Sequence, residues 1–289
     1  MAIVEPVIRP PSEAESFLLQ VTCGCSGSNC TFCPAYINKS FQIKNLEEIF
    51  SDIDSGGKSF PDTRRVFLID GDALVVKNEM VLPILDKLHE VFPRLSRISS
   101  YANGYNITTR TLEELKELAG RKLTLIYMGL ESGSQEVLTH CKKSSSVKEM
   151  VEAVRLAKEA GIKSSVIVLL GLGGKEQSDE HVRGTIKALN GMQPRYLSFL
   201  SVMLVPGTPL YKEARGSEFT ELTSQELLKE AHDILEGLEL EGAVFRTNHA
   251  SNYLSLEGRL PHDKDKLLDM LSEAGLGKLN LRREWMRGL

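Results

Sequence analysis

The stretch 17-FLLQVTCGCSGSNCTFC-33 places a mostly apolar run directly before a segment crowded with cysteine. The apolar run predicts a β-strand that is buried on both faces. Four cysteines follow it closely: Cys23, Cys25, Cys30 and Cys33. Because ligands gather at the carboxyl ends of strands in α/β folds, a cysteine loop at this place is well positioned for metal chemistry.

Two kinds of metal site fit these cysteines, because thiolates are soft ligands that suit zinc or an iron–sulfur cluster. Four cysteines close a structural zinc site, whereas three hold a [4Fe–4S] cluster and leave one iron open. Structural zinc sites usually pair two Cys-x-x-Cys knuckles, and this sequence contains only the knuckle of Cys30 and Cys33. Cys23 and Cys25 alternate across a strand end and are expected to point apart. The residues favour an iron–sulfur cluster, and zinc stays open as the alternative.

Outward from this loop, apolar β-rich runs alternate with helical patterns. The predicted strands are Phe17–Val21, Arg65–Ile69, Arg97–Tyr101, Leu123–Met128, Ser165–Leu170 and Tyr196–Val202. The predicted helices between them are Leu46–Ile53, Glu79–Val91, Leu112–Leu118, Val147–Ala160 and Glu180–Leu189. Such alternation implies an α/β fold with parallel strands and right-handed crossovers, which a doubly wound sheet and a barrel both satisfy.

After Pro209 the pattern changes. Helices are predicted over Ser224–Leu238 and near Asp263–Ala274, with a polar segment through Tyr253 between them. The last stretch is locally basic, and we interpret it as a solvated helix end; its charged residues are Lys278, Arg282, Arg283 and Arg287.

The cysteine-rich run resembles the cluster loop of radical S-adenosylmethionine (SAM) enzymes. The usual spacing in that family is Cys-x3-Cys-x2-Cys, and this chain has one additional residue in the first gap. The resemblance implies that Cys25, Cys30 and Cys33 are the catalytic cysteines, which bind three irons of a [4Fe–4S] cluster. Phe32, the aromatic residue before the last cysteine, also fits the family. Cys23 is then a spare, small buried residue.

Two segments in the first half of the chain resemble SAM-binding motifs of the same family. Gly71 and Asp72 stand after the second predicted strand, where the family has a Gly-Gly-Glu-like motif for the amino group of SAM. Ser100 and Tyr101 end the third predicted strand and resemble the polar strand end near the sulfonium and the carboxylate.

Four later residues continue the resemblance in the expected order. Glu131, at the end of the fourth strand, matches a position that contacts the ribose hydroxyls, and a carboxylate accepts two such donors well. Lys143 stands where many relatives carry an Arg for the SAM carboxylate. Gly171 belongs to the fifth-strand motif on the adenine side, and Val205 to the sixth-strand exit that borders adenine.

The resemblance covers approximately Phe17 to Tyr211 and implies a partial (β/α)6 TIM-like barrel with a short C-terminal extension. We expect the radical SAM core barrel over residues 1–211 and a helical extension on the substrate side over residues 212–289. The subgroup it resembles contains oxygen-independent coproporphyrinogen oxidases, methylthiotransferases and the Elongator catalytic subunit.

In such an enzyme the open iron chelates SAM, and one electron from a flavodoxin or ferredoxin splits the sulfonium. The resulting 5′-deoxyadenosyl radical takes hydrogen from a substrate. Beyond Cys23 only Cys141 remains, so we expect one oxygen-sensitive cluster and no auxiliary cluster. The segment after the barrel is the candidate substrate side, since its polar side chains suit a carboxylate or another polar group: Arg246, Asn248, His249 and Asn252.

The charge balance bears on the partners. A formal net charge of −4 argues against a dedicated nucleic-acid surface, so we expect a small-molecule substrate. No secretory signal is visible, and no apolar run approaches the roughly 20 residues of a membrane span, which predicts a cytoplasmic protein without a membrane. Two alternatives stay open: a radical SAM enzyme acting on tRNA or a protein, and a non-catalytic iron–sulfur or zinc protein.

Overall fold

The computed structural model describes residues 3–27 and 29–288. Within these ranges the chain forms two compact units. The first unit comprises residues 3–27, 35–128 and 155–164, and the second comprises residues 29–34, 129–154 and 165–288. The cysteine loop contributes to both, because Cys25 belongs to the first unit and Cys30 and Cys33 belong to the second.

The first unit is built on parallel strands. Its strands are β1 (Phe17–Gln20), β2 (Thr22–Cys23), β3 (Gln42–Ile43), β4 (Arg65–Ile69), β5 (Arg97–Tyr101) and β6 (Leu123–Glu131). The last three residues of β6 belong to the second unit. β4 pairs with β1 and with β5, and β5 pairs with β6, in each case in parallel. The short strands β2 and β3 form an antiparallel ribbon beside the cysteine loop. Residues 66–69 of β4 are all buried, as expected for a strand covered on both faces.

The helices of this unit begin at sequence signals. They are α1 (Leu46–Ser59), α2 (Asn78–Val91), α3 (Gly104–Thr108) and α4 (Leu112–Gly120). The side chain of Asn45 accepts a hydrogen bond from the Glu48 amide and so satisfies a free N–H group at the start of α1. Thr111 and Glu114 form a reciprocal capping box at the start of α4.

The second unit continues the alternation. Its elements are α5 (Gln135–His140), α6 (Val147–Glu159), β7 (Lys163–Leu170), α7 (Ser178–Met192), β8 (Tyr196–Ser201), α8 (Pro209–Arg215), α9 (Ser224–Gly237), β9 (Ala243–Arg246), β10 (Glu257–Leu260) and α10 (Lys264–Gly275). The end of α6 and the first two residues of β7 lie in the first unit. β8 is parallel to both β7 and β9, and β10 runs antiparallel to β9. α9 packs against α7 and α10.

The alternation of helices with mostly parallel strands confirms the α/β class, and β4 and β5 have the predicted bounds. The sequence missed β9 and β10, which lie in the part expected to be a polar segment and helices. Residues 212–289 are therefore not purely helical. The reason is that neither strand carries a clear signal: β9 is a run of only three apolar residues before Arg246, and β10 reads Glu-Gly-Arg-Leu, with one large apolar side chain.

None of the helices described over residues 3–27 and 29–288 is long and apolar enough to cross a membrane. The longest of them, α7, has 15 residues, whereas a spanning helix needs about 20.

Gly161 and Gly120 provide a matched test of the backbone. Neither has a heavy atom within 4 Å of the place where a Cβ would stand, but Gly161 has a φ of +82° whereas Gly120 ends α4. We expect Gly161→Ala to lower the free energy of unfolding by about 1 kcal/mol, because a side chain disfavours the left-handed region. Gly120→Ala is expected to raise it by about 0.5 kcal/mol. Urea unfolding followed by circular dichroism measures both, and equal effects of the two substitutions would contradict this account.

Candidate functional site

The turn that leaves β4 holds the start of the cysteine loop in the first unit. The Gly71 amide donates to the Gly24 carbonyl over 3.1 Å. The hydroxyl of Ser26 donates to the carboxylate of Asp72, which is buried. These two bonds tie the residues on either side of Cys25 to the exit of β4.

Gly71 allows an unusually close approach to Cys25. A Cβ on Gly71 would lie 2.7 Å from Cys25 Cβ, 2.9 Å from its Sγ and 2.7 Å from Tyr36 Cε2. Only glycine fits such a contact without displacing its neighbours. The predicted SAM residues Gly71 and Asp72 thus lie beside the first of the predicted cluster ligands.

Ser100 and Tyr101, predicted near the sulfonium, end β5 in the same unit. Ser100 is buried, and its hydroxyl donates to the Tyr101 carbonyl over 2.9 Å. The ring of Tyr101 packs edge-on against Phe67, with 5.1 Å between the ring centroids, and against Tyr127, with 6.1 Å. Tyr127 donates to the buried Glu13 over 2.6 Å, and burial raises the pKa of its phenol. The ring of Tyr101 is therefore held in place by packing against the rings of Phe67 and Tyr127.

Glu131 and Lys143 form a largely buried pair in the second unit. Their carboxylate Oε1 and ammonium Nζ lie 3.5 Å apart, and the side chains are 14% and 10% exposed. Glu131 adopts a φ of 64°, which is uncommon for a residue with a side chain. A Cβ on Gly129 would lie only 1.9 Å from Glu131 Oε1, so glycine leaves the space for this carboxylate. Burial raises the pKa of Glu131, and Lys143 opposes that shift.

The Cys30 thiol shares this environment. Burial raises its pKa, the charge of Lys143 lowers it, and Glu131 and Cys33 raise it. The Cys33 amide donates to the Cys30 carbonyl over 3.3 Å, which closes a turn between the two cysteines. The second unit therefore brings two predicted cluster ligands together with two predicted SAM residues.

Cys141 and Phe32 belong to the packing that supports this loop. Cys141 is fully buried in an apolar cluster, and the partly buried Phe32 packs against that cluster. The Thr31 amide donates to the Cys141 carbonyl over 2.9 Å. Burial raises the pKa of the Cys141 thiol to about 12, so it is protonated at neutral pH. A protonated, enclosed thiol acts as a small apolar side chain rather than as a ligand.

Gly171, predicted on the adenine side, is held by the C-terminal helix α9. Its amide donates to Glu230 Oε1 over 2.6 Å, and the Ser178 hydroxyl donates to Glu230 Oε2 over 2.5 Å. His181 lies next to this carboxylate, with 3.6 Å between its Nε2 and Glu230 Oε1, and its Nδ1 is 2.8 Å from the hydroxyl of Ser132. Glu230 and His181 are almost completely buried. This network therefore links the end of β7 to α9.

Val205 lies in the turn that follows β8. Its carbonyl accepts from the amide of Thr208 over 3.1 Å and from the hydroxyl of the same residue over 2.8 Å. The same threonine caps α8. The backbone of Val205 is thus fixed, while its side chain is half-exposed.

Three of the predicted substrate residues are at least partly accessible. Arg246 Nη2 pairs with Glu257 Oε1 over 3.1 Å at the surface, and Asn248 is exposed. The Nδ1 of His249 accepts from the Ser251 amide over 3.2 Å. Burial, and then the charge of Arg282, lowers the pKa of His249, which keeps the imidazole neutral.

The fourth, Asn252, is buried and used internally. Its amide nitrogen donates to the carbonyls of Phe199 over 2.7 Å and Thr247 over 2.9 Å. Its amide oxygen accepts from the Ser201 hydroxyl over 2.9 Å. In this structure Asn252 fastens the loop between β9 and β10 to the end of β8.

The prediction of a solvated basic end is wrong for two of its four residues. Arg282 Nη1 donates to three carbonyls of residues 249–252, at 2.6 to 3.1 Å. Arg287, whose side chain is 2% exposed, donates from Nε to the Ser251 carbonyl over 2.7 Å and from Nη2 to the Val202 carbonyl over 3.2 Å. The arginines therefore bind the tail to this loop and to the exit of β8, whereas Lys278 and Arg283 are exposed as expected.

Four residues buried beside predicted site residues had no role in the sequence-based prediction: Asp70, Lys39, Glu230 and His181. One signal was present for Glu230, because it stands on the apolar face of α9 among Leu227, Ala231 and Ile234. A carboxylate on such a face needs a buried partner.

The donor chemistry at the loop fits a thiolate-bound cluster. All five cysteines are free of disulfides, and Cys25, Cys30 and Cys33 are partly accessible whereas Cys23 and Cys141 are buried. Over residues 3–27 and 29–288, no three His, Cys, Asp or Glu side chains converge as a metal-binding group. The choice of these three cysteines as ligands therefore rests on their spacing and accessibility.

Comparison with known proteins gives the family. Residues 19–189, more than half of the chain, match the radical SAM superfamily, and the chain belongs to that superfamily. A putative methylthiotransferase of Methanocaldococcus jannaschii is 23% identical over 148 residues, which are 48% of this chain and 32% of the relative. A tRNA uridine(34) acetyltransferase of Methanocaldococcus infernus is 24% identical over 118 residues, 40% of this chain and 22% of the relative. The matches thus span about a third or less of these relatives.

Solved structures agree on the fold. The radical SAM methyltransferase TsrM from Kitasatospora setae, with cobalamin and a [4Fe–4S] cluster bound, has a TM-score of 0.58 and 19% identity over 70% of this chain and 39% of TsrM. Coproporphyrinogen III oxidase HemN from Escherichia coli has a TM-score of 0.54 and 15% identity over 76% of this chain and 50% of HemN. The α/β fold therefore resembles the TIM-like partial barrels of radical SAM enzymes.

Membership of the superfamily settles three expectations. The chain is an enzyme, and its cofactors are a [4Fe–4S] cluster and SAM. Its neighbours, which include a methylthiotransferase and HemN, fit the branch expected from the sequence. The alternative of a non-catalytic metal protein is thereby disfavoured.

His181 leads to a prediction on pH. Burial lowers its pKa below the ordinary 6.5, which outweighs the opposing charge of Glu230. As pH falls below 6.5, the unfolded imidazole takes up a proton that the folded one does not, so stability is lost. His181→Asn should reduce the slope of unfolding free energy against pH, between pH 6.5 and 5, by up to about 1.4 kcal/mol per pH unit.

Urea unfolding of the metal-free protein at a series of pH values measures this slope. The same substitution at the exposed His262 serves as the control. An unchanged slope in His181→Asn would show that this imidazole does not stay neutral in the fold.

Proposed function

We propose that this enzyme holds one [4Fe–4S] cluster on Cys25, Cys30 and Cys33 and uses SAM for hydrogen abstraction from a small-molecule substrate. The observation that carries the proposal is the three-cysteine loop that follows β1 and the short strand β2, inside the region that matches the superfamily. The burial of Cys23 and Cys141 supports a single cluster, because no further accessible cysteine is available for a second one.

Each unit carries residues that the family resemblance assigns to SAM. In the first unit, Gly71 and Asp72 would receive its amino group, with Ser100 and Tyr101 near the sulfonium. In the second unit, Lys143 would donate to the carboxylate and Glu131 would accept from the ribose hydroxyls. The burial of this pair supports the assignment, since charge-assisted hydrogen bonds are stronger where water is excluded. Gly171, Val205 and Phe32 would border the adenine and the cluster loop.

When bound, the cluster and SAM would supply reductive cleavage of the sulfonium and so the 5′-deoxyadenosyl radical for hydrogen abstraction. The protein's own residues bind and orient the substrate and keep water out. Arg246, Asn248 and His249 are the accessible candidates for contact with substrate, and Asn252 would hold their loop in place. A flavodoxin or ferredoxin would donate the electron in the cytoplasm.

A second candidate is modification of tRNA. The match to a tRNA uridine(34) acetyltransferase favours it, although that match covers only 40% of this chain. The net charge of −4 favours the small-molecule proposal, because RNA-binding proteins usually carry a basic excess. Salt-sensitive binding of bulk tRNA by the purified protein would favour tRNA over a small molecule as the substrate.

Cys30→Ala tests the proposal directly. After anaerobic reconstitution with iron and sulfide, the wild-type protein should release 5′-deoxyadenosine from SAM in the presence of dithionite. Cys30→Ala should fall to the level of a protein-free control, because one of three cluster ligands is lost. Chromatography of the product measures the reaction, and iron content is measured in the same samples.

Cys141→Ala is the matched control, since it removes a buried thiol from the same unit. It should keep the cluster and product release, with a loss of about 1 kcal/mol in stability. Equal iron content in Cys30→Ala and the wild type, or zinc bound in place of iron, would overturn the proposal.

A further inference from the structure

Asp70 and Lys39 form a buried ion pair beside the cysteine loop. Lys39 Nζ lies 2.9 Å from Asp70 Oδ1, and the side chains are 5% and 0% exposed. Charged groups are buried at such a cost that both partners must be satisfied. The second carboxylate oxygen is also occupied, because Asp70 Oδ2 accepts from the Gly24 amide over 3.0 Å and from Gln20 Nε2 over 2.8 Å.

This carboxylate sits where the chain is locally strained. Asp70 has a φ of 75°, and Gly24, directly before Cys25, also has a φ of 75°. A Cβ on Gly24 would lie 2.7 Å from the Lys39 carbonyl oxygen, so no other residue fits there. In this backbone conformation the amide of Gly24 points at the carboxylate of Asp70.

Lys39 also binds residues 4–6, the segment before β1 that we call the N-terminal arm. Its ammonium donates to the Val4 carbonyl over 2.6 Å and to the Pro6 carbonyl over 2.9 Å. Gln20 pairs with Val4 as well, donating to its carbonyl over 3.2 Å and accepting from its amide over 2.9 Å. The last residue of β1, the turn after β4 and the arm thus converge on one carboxylate.

We propose that Asp70 is the positioning residue for Cys25: its carboxylate, neutralised by Lys39, holds the Gly24 amide and thereby sets where the first ligand thiol of the cluster stands. This inference rests on the proposed function for the role of Cys25 as a ligand. The hydrogen bond from Gly24 to Asp70 and the ion pair of Asp70 with Lys39 are present in the protein without metal. The described contacts of Asp70 lie in the first unit, which contains Cys25, whereas Cys30 and Cys33 belong to the second unit.

Two double variants separate the hydrogen bond from the charge. Asp70→Asn with Lys39→Met leaves no unpaired charge, tolerates the positive φ and keeps an oxygen that accepts from Gly24. Asp70→Gly with Lys39→Met also fits the backbone and leaves no charge, but it removes that oxygen. The control is Asp52→Asn with Lys44→Met, which removes another largely buried ion pair of this unit, at 2.6 Å between Lys44 Nζ and Asp52 Oδ2.

The primary readout is the alkylation rate of each cysteine in the metal-free protein, resolved by peptide mass spectrometry. Asp70→Gly with Lys39→Met should raise the ratio of Cys25 to Cys30 alkylation at least tenfold over the wild type. Asp70→Asn with Lys39→Met and the control should leave this ratio within twofold of the wild type. General loosening of the fold raises both rates and leaves the ratio unchanged, so a merely structural role would not move it.

A second readout uses the reconstituted protein, in which iron loss to a chelator should be at least tenfold faster for the glycine variant than for the asparagine variant. An unchanged alkylation ratio in the glycine variant would overturn the inference. Failure of the wild type to take up iron would overturn the proposed function instead, and the alkylation ratio would still decide whether Asp70 positions Cys25.

Discussion

The hydrogen bond between the Gly71 amide and the Gly24 carbonyl, 3.1 Å long, fixes the distance between the exit of β4 and the cysteine loop. Both residues are glycines. A Cβ on Gly71 would collide with Cys25, and a Cβ on Gly24 would collide with the Lys39 carbonyl. Because the two backbones can approach, Asp72 reaches Ser26. The exit of β4 is thereby joined to the loop on both sides of Cys25.

The second unit depends on a related constraint, the burial of carboxylates that need partners. Glu131 stands beside Lys143 near Cys30, and Glu230 accepts from the Gly171 amide and the Ser178 hydroxyl. Glu131 ends β6 and Glu230 lies beside the end of β7, and both carboxylates are largely removed from water. In such surroundings a hydrogen bond to a carboxylate or an ammonium is stronger than in water. Because of this burial, replacing only one partner of an ion pair would leave the other charge buried and unpaired, which is destabilising.

The sequence predicted the elements whose signal is local. β4 was placed correctly because the apolar run of residues 66–69 stands between Arg65 and Asp70. The ligand cysteines were recognisable for the same reason, since nine residues contain all three. The bonds from Asp70 to Gly24 and from Glu230 to Gly171 join residues 46 and 59 positions apart, and no local pattern reports such a partner. Arg282 and Arg287 were misjudged because the carbonyls that they bind belong to a loop about 30 residues earlier.

The central claim is that three cysteines bind one four-iron cluster whose remaining iron takes SAM. Mössbauer spectroscopy of protein reconstituted anaerobically with ⁵⁷Fe, recorded with and without SAM, tests it most directly. The account predicts one [4Fe–4S] cluster per chain, in which SAM changes the signal of one iron and leaves the other three unchanged. A spectrum that SAM does not alter, or a chain that holds fewer than four irons in a cluster, would contradict it.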